Sequence, residues 1–198
     1  MSQPQTRATL ARPRWSRLHA DAVARAEAFE PATTPARVGR QRTLAFLADH
    51  PDGLDPTCRP GHVTATAVVL SADRMQTLLT LHRRVGRWLG LGGHVEPGDA
   101  DIPAAARREA TEESGIDGLV VDSRLLTISA FDDVPCRRSP GATHFDLVYL
   151  VTAPAGSRPE RSDESLDLGW FDVERLPEPL GDEVAEHVLL ARHSRAGA

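Results

Sequence analysis

Cysteine is scarce in this chain of 198 residues, which has only Cys58 and Cys136. Two cysteines are too few for the disulfide framework that holds small secreted domains together. Neither cysteine lies in a C-x-x-C motif or in a histidine-paired pattern with metal-ligand spacing. The sequence therefore predicts two free thiols in a reducing compartment.

Long apolar runs are also absent from the sequence. No stretch of about 18 consecutive apolar residues, the length that a membrane helix needs, is present. The amino-terminal residues lack the apolar core of a signal peptide. We therefore expect a cytoplasmic protein with no membrane partner.

Positive charge is not in excess, because the formal net charge is -5 and the arginines are scattered. Proteins that grip a nucleic-acid backbone usually present a basic field, so polymeric DNA or RNA is not an expected partner. The apolar fraction of 40% and the charged fraction of 26% are ordinary for a folded globular protein. The length suits one domain with a modest extension.

The N-terminal part, residues 1–55, is predicted to be a helical extension of a main domain at residues 56–198. Residues 15–29 are rich in helix formers, and residues 38–50 form a second predicted helix after the breakers Pro31 and Pro35. This extension would pack on the main domain, form the contact of a homodimer or cover a substrate. The sequence does not choose among the three.

The main domain alternates strand and helix signals, which is typical of an α/β fold. Residues 62–70 and 75–82 are β-rich and separated by a turn, so they predict a hairpin. Further strands are predicted at 119–130, at 144–152 and in a segment that ends at Trp170 and Phe171. A Gly-rich segment spans 89–98, a helix is predicted from 102 to 114 with Gly115 just past its end, and a last amphipathic helix covers 181–192.

Three glutamates lie on one face of the predicted helix at 102–114. Glu109, Glu112 and Glu113 stand at positions i, i+3 and i+4, which brings their carboxylates together over one turn. Such like charges repel one another, and carboxylate oxygens suit Mg²⁺ or Mn²⁺. Arg108 can reach Glu112 at i+4. A glutamate-rich turn taken alone is more often a solvated helix face.

The surrounding residues favour the metal site. Gly92-Gly93-His94-Val95-Glu96-Pro97-Gly98-Asp99, followed by Arg108-Glu109-Ala110-Thr111-Glu112-Glu113-Ser114-Gly115-Ile116, closely resembles the Nudix box. The resemblance implies an α/β/α sandwich with a mixed β-sheet. It also implies a hydrolase that cleaves a phosphoanhydride bond with Mg²⁺, by attack of water on phosphorus.

The resemblance also implies the roles of individual residues. Arg108, Glu109, Glu112 and Glu113 would be catalytic, with the three glutamates and the backbone carbonyl of Gly92 binding the metal. Arg108 would orient a glutamate. The general base would be a glutamate of the box or, as in some relatives, an acidic residue on a later loop, for which Glu164 is the candidate.

Substrate contacts are predicted from residues near the box. Arg84 and Arg87 would supply positive charge for a phosphorylated substrate, and Trp88 a stacking surface, unless its side chain belongs to the core. His144 begins an apolar strand and would either face the cleft or be structural. Arg137 and Arg138 lie in a loop that would close over phosphates or be solvated. The expected substrate is a small diphosphate compound, a nucleotide derivative.

Two positions depart from the family pattern. Asp99 occupies the place of a glutamate, and eight residues instead of seven separate it from Arg108. The extra residue is expected to lengthen the loop before the helix, and no role is carried over to Asp99. Ala110 is smaller than the usual apolar residue, which predicts a tighter contact between helix and sheet.

Two other functions stay open at this point. One is an isomerase of isopentenyl diphosphate, which needs a catalytic cysteine and an acid; neither Cys58 nor Cys136 has a suitable sequence neighbourhood. The other is a regulatory or binding module that keeps the fold without catalysis. The complete Arg-Glu-x-x-Glu-Glu pattern argues against such a module.

Overall fold

A mixed β-sheet built around one central strand organises the molecule. The computed structural model describes residues 14–136, 138–163 and 165–194. Within them lie seven strands: β1 (Gly61–Leu70), β2 (Gln76–His82), β3 (Trp88–Leu89), β4 (Leu91–His94), β5 (Val120–Val134), β6 (Ala142–Thr152) and β7 (Ser165–Asp172). The same residues form four helices: α1 (Ser16–Ala28), α2 (Thr34–Asp49), α3 (Ile102–Ser114) and α4 (Val184–His193).

The strand order is β3-β2-β1-β6-β5, with β4 also paired to β1 and β7 to β2. The pairing of β1 with β6 is parallel, whereas β2 and β4 run antiparallel to β1. The sheet is therefore mixed, as expected. Because β1 is central and both of its faces are covered, nearly all of its residues are buried.

Side chains that alternate along β1 enter two different cores. Val63 and Ala65 face a large core that also contains residues of α1, α2 and α3. Val68 and Leu70 face a second core, which α4 closes with Val184 and Val188. Helices thus cover both faces of the sheet, which confirms the predicted α/β/α sandwich.

Both N-terminal helices pack on the sheet. The large core contains two side chains from the start of the described part of the chain, Trp15 and Leu18. It also contains Phe46 and Leu47 of α2. Of the three alternatives for this region, the structure shows packing on the main domain. Residues 1–13 lie outside the described residues, and the division at residue 55 stays a prediction.

Helix α2 begins earlier than expected, at Thr34 instead of residue 38. The prediction treated Pro35 as a breaker, which was wrong. Proline in the first helical turn removes an N–H group that has no helical partner, so a helix tolerates it there. The Thr33 hydroxyl caps this end by accepting a hydrogen bond from the backbone N–H of Ala36 at 3.3 Å.

Two short strands that the sequence did not predict, β3 and β4, lie at the start of the Gly-rich segment and within it. Gly92 and Gly93 of β4 pair with Thr66 and Ala65 of β1. A Cβ atom on Gly92 would lie 2.6 Å from the Ala65 carbonyl oxygen, so only glycine allows this approach. The other elements agree with the prediction to within a few residues at their ends. No helix among the described residues is both long and apolar enough to span a membrane.

Candidate active site

The acidic face of α3 is held in place at both ends of the helix. The Asp101 side chain caps the first turn by accepting from the backbone N–H of Ala104 at 2.8 Å. Gly115 ends the helix with a φ of 64°, a left-handed conformation that glycine adopts without strain. Ala106 and Ala110 are fully buried and anchor the helix in the large core. Of the three glutamates of the box, Glu109 and Glu113 are half-buried and Glu112 is exposed.

Arg108 links these glutamates to the preceding loop. Its Nη1 donates to Glu109 Oε1 at 2.9 Å and to Glu112 Oε2 at 3.2 Å. Its Nη2 donates to the carbonyl oxygen of His94 at 2.9 Å. Burial opposes the charge on Arg108, but its hydrogen bonds to the Asp99 and Glu109 carboxylates and the charges of those groups outweigh this effect and raise its pKa. Arg108 therefore carries a permanent charge in a fixed orientation.

Asp99 is a main partner of Arg108, although no role was predicted for it. Its Oδ1 accepts from Arg108 Nε at 2.9 Å and its Oδ2 from Arg108 Nη2 at 3.2 Å, a two-point contact. Asp99 Oδ2 also accepts from the backbone N–H of Glu96 at 2.7 Å. The extra residue in the loop is thus accommodated before the helix begins, and the carboxylate still reaches Arg108.

Glu109 and Glu112 differ in their surroundings. The Glu109 side chain is 17% exposed, whereas that of Glu112 is 58% exposed. Burial raises the pKa of Glu109, Arg108 opposes this shift, and the charges of Glu112 and Glu96 add to it. Glu96 was not among the predicted site residues, although its place in the box could have indicated it. A cation near these carboxylates would favour the charged form of Glu109.

The two glycines of β4 bring backbone atoms against the glutamates. The N–H of Gly92 donates to Glu113 Oε2 at 3.2 Å. A Cβ atom on Gly93 would lie only 2.7 Å from Glu109 Oε2, so the missing side chain makes room for that carboxylate. Clustered carboxylates beside an open stretch of backbone fit a hard divalent cation with oxygen ligands. The role of the Gly92 carbonyl as a ligand remains a prediction.

Helix α1 supports the loop that carries Asp99. Arg17 donates to the carbonyl oxygens of Asp99 and Ala100. One helical turn later, Asp21 Oδ2 accepts from the backbone N–H of Ile102 at 2.9 Å, the first residue of α3. Arg25 reaches Asp101 Oδ2 at 3.4 Å. This stripe of α1 fixes the start of α3, and sequence spacing alone gave no sign of the contact.

The predicted substrate-binding residues are dispersed. Trp88 is 8% exposed and packs edge-on against Phe171 with ring centroids 4.7 Å apart, so its side chain belongs to the second core. Arg84 is exposed on the β2–β3 connection. Arg87 donates to Asp182 Oδ1 at 2.6 Å, just before α4. Glu164 and Arg137 lie outside the described residues.

His144 belongs to a group of buried and half-buried side chains that we call the His/Cys cluster: His62, His94, Cys136 and His144. One nitrogen or sulfur atom from each residue lies within 4.8 Å of those of the other three. Burial and the neighbouring histidines lower the pKa of His62 to about 3, and burial and His94 lower that of His144 to about 4. The sequence showed no histidine-paired pattern at Cys136, because its histidine neighbours in the fold are distant in sequence.

Comparisons with known proteins agree with this geometry. The model of the NUDIX domain family matches residues 61–192. An oxidized purine nucleoside triphosphate hydrolase from Danio rerio is 33% identical over 114 residues, which cover 56% of this chain and 67% of that protein. The chain therefore belongs to the NUDIX family and is a Nudix hydrolase. Members of this family generally use divalent metal ions.

Solved structures support the fold. A NUDIX-family hydrolase from Clostridium perfringens has a TM-score of 0.51 and 24% identity, covering 65% of this chain and 97% of that one. The E. coli dihydroneopterin triphosphate pyrophosphohydrolase has a TM-score of 0.52 and 22% identity, covering 66% and 92%. A C. elegans Ap4A hydrolase has a TM-score of 0.51 and 22% identity, also covering 66% and 92%. At these identities the likeness extends to the fold alone.

Proposed function

We propose that this protein hydrolyses a phosphoanhydride bond in a nucleoside triphosphate, or in a nucleoside diphosphate linked to another group, at the acidic face of α3. The observation that carries the proposal is the arrangement around Arg108, which holds Glu109, Glu112 and the box loop in one fixed unit. Oriented carboxylates next to a glycine-lined strand are suited to a substrate that carries phosphates and a cation.

Mg²⁺ is the proposed cofactor, with Mn²⁺ as a substitute. Glu109, Glu112, Glu113 and the carbonyl of Gly92 would hold it, because all four are hard oxygen donors. When bound, the ion would neutralise charge on the phosphate oxygens and lower the pKa of a water molecule. Soft ligands are missing from this donor set, so a zinc ion is not expected here.

The proposed roles of the chain's own residues are to orient the carboxylates of the site and to contact the substrate. Arg108 restrains the Glu109 and Glu112 carboxylates, so less orientation has to be achieved when substrate binds. The proposed base is a glutamate of the box, with Glu164 as the alternative. Arg84 and Arg87 are proposed to contact phosphates of the substrate, since both are on the exposed connection that precedes β4.

The names of the relatives support the proposed substrate class. One acts on an oxidized purine nucleoside triphosphate, another on dihydroneopterin triphosphate and a third on Ap4A. All three substrates contain phosphoanhydride bonds joined to a group with a fused heteroaromatic ring. A small molecule of this kind is the proposed partner, and the homodimer stays a prediction.

A substrate panel tests the proposal. The purified protein is incubated with Mg²⁺ and with nucleotides, sugar nucleotides, dinucleotides and CoA derivatives, and released phosphate and pyrophosphate are measured. We expect turnover of at least one member, and its loss in Glu112→Gln and Glu113→Gln. Glu27→Gln, an exposed change on α1, is the matched control and should keep full activity. No turnover of any member, with both α3 variants indistinguishable from the wild type, would contradict the proposal and favour a binding role.

A further inference from the structure

Four chemically similar side chains meet at one end of the sheet, although the sequence separates them widely. His62 of β1 is in register with His144 of the parallel strand β6. His94 ends β4, whose antiparallel pairing places it opposite Thr64, two residues along β1 from His62. Cys136 follows β5 by two residues, in the loop that leads into β6. The topology therefore brings the four residues of the His/Cys cluster together at one end of the sheet.

The distances inside the cluster suit a single ion. His62 Nε2 lies 3.1 Å from His94 Nε2, and Cys136 Sγ lies 3.6 Å from His94 Nε2 and 4.0 Å from His62 Nε2. In a tetrahedral zinc site, with metal bonds of about 2.0–2.3 Å, neighbouring ligand atoms are about 3.3–3.8 Å apart. The His62 and His144 rings are also close, with centroids 4.4 Å apart. The three distances bracket the tetrahedral range and the His144 ligand atom lies within 4.8 Å of the others, so side-chain adjustment would close a tetrahedral site.

The cluster contains buried nitrogen atoms that have no protein partner. His62 is fully buried and its Nδ1 accepts or donates no hydrogen bond within the described residues. The same holds for the buried Nε2 of His144. A buried polar atom without a partner costs free energy, so native structures normally satisfy it. Coordination of an ion by His144 would remove one such cost.

We infer that His62, His94, Cys136 and His144 form a zinc site distinct from the acidic face of α3. One thiolate and three imidazoles are the donors that Zn²⁺ prefers, and they are poor ligands for Mg²⁺. Four protein ligands close the coordination shell, which is the pattern of a structural site and not of a catalytic one. The ion would join the loop after β5 to β1, β4 and β6.

A zinc ion here would also stabilise the Nudix box. His94 belongs to both units, because its side chain is in the cluster while its carbonyl oxygen accepts from Arg108 Nη2 at 2.9 Å. Fixing the His94 ring fixes the end of β4 and the start of the loop that carries Glu96 and Asp99. The site would therefore position Arg108 through the backbone, without touching the substrate.

Metal content is the direct test. The full chain is produced with a removable tag, the tag is cleaved, and bound metals are measured by mass spectrometry without added chelator. We expect about one zinc ion per chain in the wild type and less than about a tenth of that in Cys136→Ser and His144→Asn. Cys58→Ser is the matched control, since Cys58 donates to Asp52 Oδ1 at 3.6 Å and is outside the cluster. It should keep its zinc.

Cobalt substitution makes the test independent of how well the variants fold. Stripped wild type and Cys58→Ser should take up one Co²⁺ and show both a thiolate charge-transfer band and the strong visible bands of tetrahedral coordination. Glu112→Gln should do the same, because the acidic face is a separate site. The inference is overturned if the wild type holds no zinc and takes up no cobalt, if Cys136→Ser keeps a full equivalent, or if another metal fills the site.

Discussion

The acidic face of α3 and the His/Cys cluster are linked through the contact of Arg108 with the His94 carbonyl oxygen, yet they present different ligand atoms. The acidic face presents hard oxygen donors, partly exposed and charged, from residues that are neighbours in the sequence. The cluster presents nitrogen and sulfur donors, mostly buried, from residues up to 82 positions apart by their numbering. Only the first site has the exposure that a substrate needs.

This difference separates a site for reaction from a site for stability. The like charges of an exposed acidic face repel one another and lower stability. The same charges allow the face to bind a cation and, through it, a substrate. A closed set of neutral imidazoles and a thiol gains nothing from exposure and holds strands together when it binds an ion. Variants of the two sites should therefore affect different measurements.

The largest expected effect is on activity, in Glu109→Gln. We expect the turnover rate to fall by at least about a hundredfold, because a charged carboxylate ligand of the proposed metal ion is lost. The free energy of unfolding should change by less than about 1 kcal/mol, because burial already disfavours the charge on Glu109 and glutamine keeps its shape. Steady-state kinetics and urea unfolding measure the two quantities. A variant that is strongly destabilised but active would reverse the comparison.

Arg108→Lys should affect both measurements, because this residue joins the acidic face to the loop. Lysine cannot make the two-point contact with Asp99 while also reaching Glu109, so we expect a loss of about 2–3 kcal/mol in stability and about tenfold or more in activity. Thermal unfolding and kinetics provide the measurements. Arg107→Lys, the exposed neighbour on α3, is the control and should match the wild type. Equal stability and activity of the two variants would show that the two-point contact of Arg108 with Asp99 is unimportant.

Removal of metal from the cluster should lower stability with an intermediate effect. A strong chelator is expected to lower the melting temperature of the wild type by at least about 5 °C, and Zn²⁺ but not Mg²⁺ should restore it. Cys136→Ser should melt at the lower temperature whether or not chelator is present. If Mg²⁺ restores the wild type equally well, the stabilising ion belongs to the acidic face and the two sites do not differ as described.

The smallest expected effect comes from the support that α1 gives to α3. Asp21→Ala removes the acceptor for the Ile102 N–H, so we expect a loss of about 1 kcal/mol, or about 2–4 °C in melting temperature. Activity should fall only a few-fold, through a looser start of α3. Glu27→Ala on the exposed side of α1 is the control. Equal melting temperatures of the two variants in calorimetry would show that the contact of Asp21 with Ile102 does not stabilise α3.

Much of the fold could be predicted because it depends on local patterns. The bounds of α3, its capping by Asp101 and its end at Gly115 follow from residues within one or two turns of each other. The hairpin of β1 and β2 has the same local origin. The start of α2 was misplaced because Pro35 has opposite meanings in the first turn and in the interior of a helix. Strand β4 was missed because its two glycines leave no alternating apolar pattern, and β3 was missed because two residues are too few to show one.

What the sequence by itself determined is the acidic face of α3, since helical spacing brings Glu109, Glu112 and Glu113 together wherever the helix packs. The tertiary structure alone decided three further features: the contact of Asp99 with Arg108 across a lengthened loop, the support from Arg17 and Asp21, and the meeting of Cys136 with three histidines. The physical reason is that these contacts join residues of different elements, whose placement depends on tertiary packing and, for the His/Cys cluster, on strand order and register. Those are set by the burial of both faces of β1, which no short segment of the chain encodes.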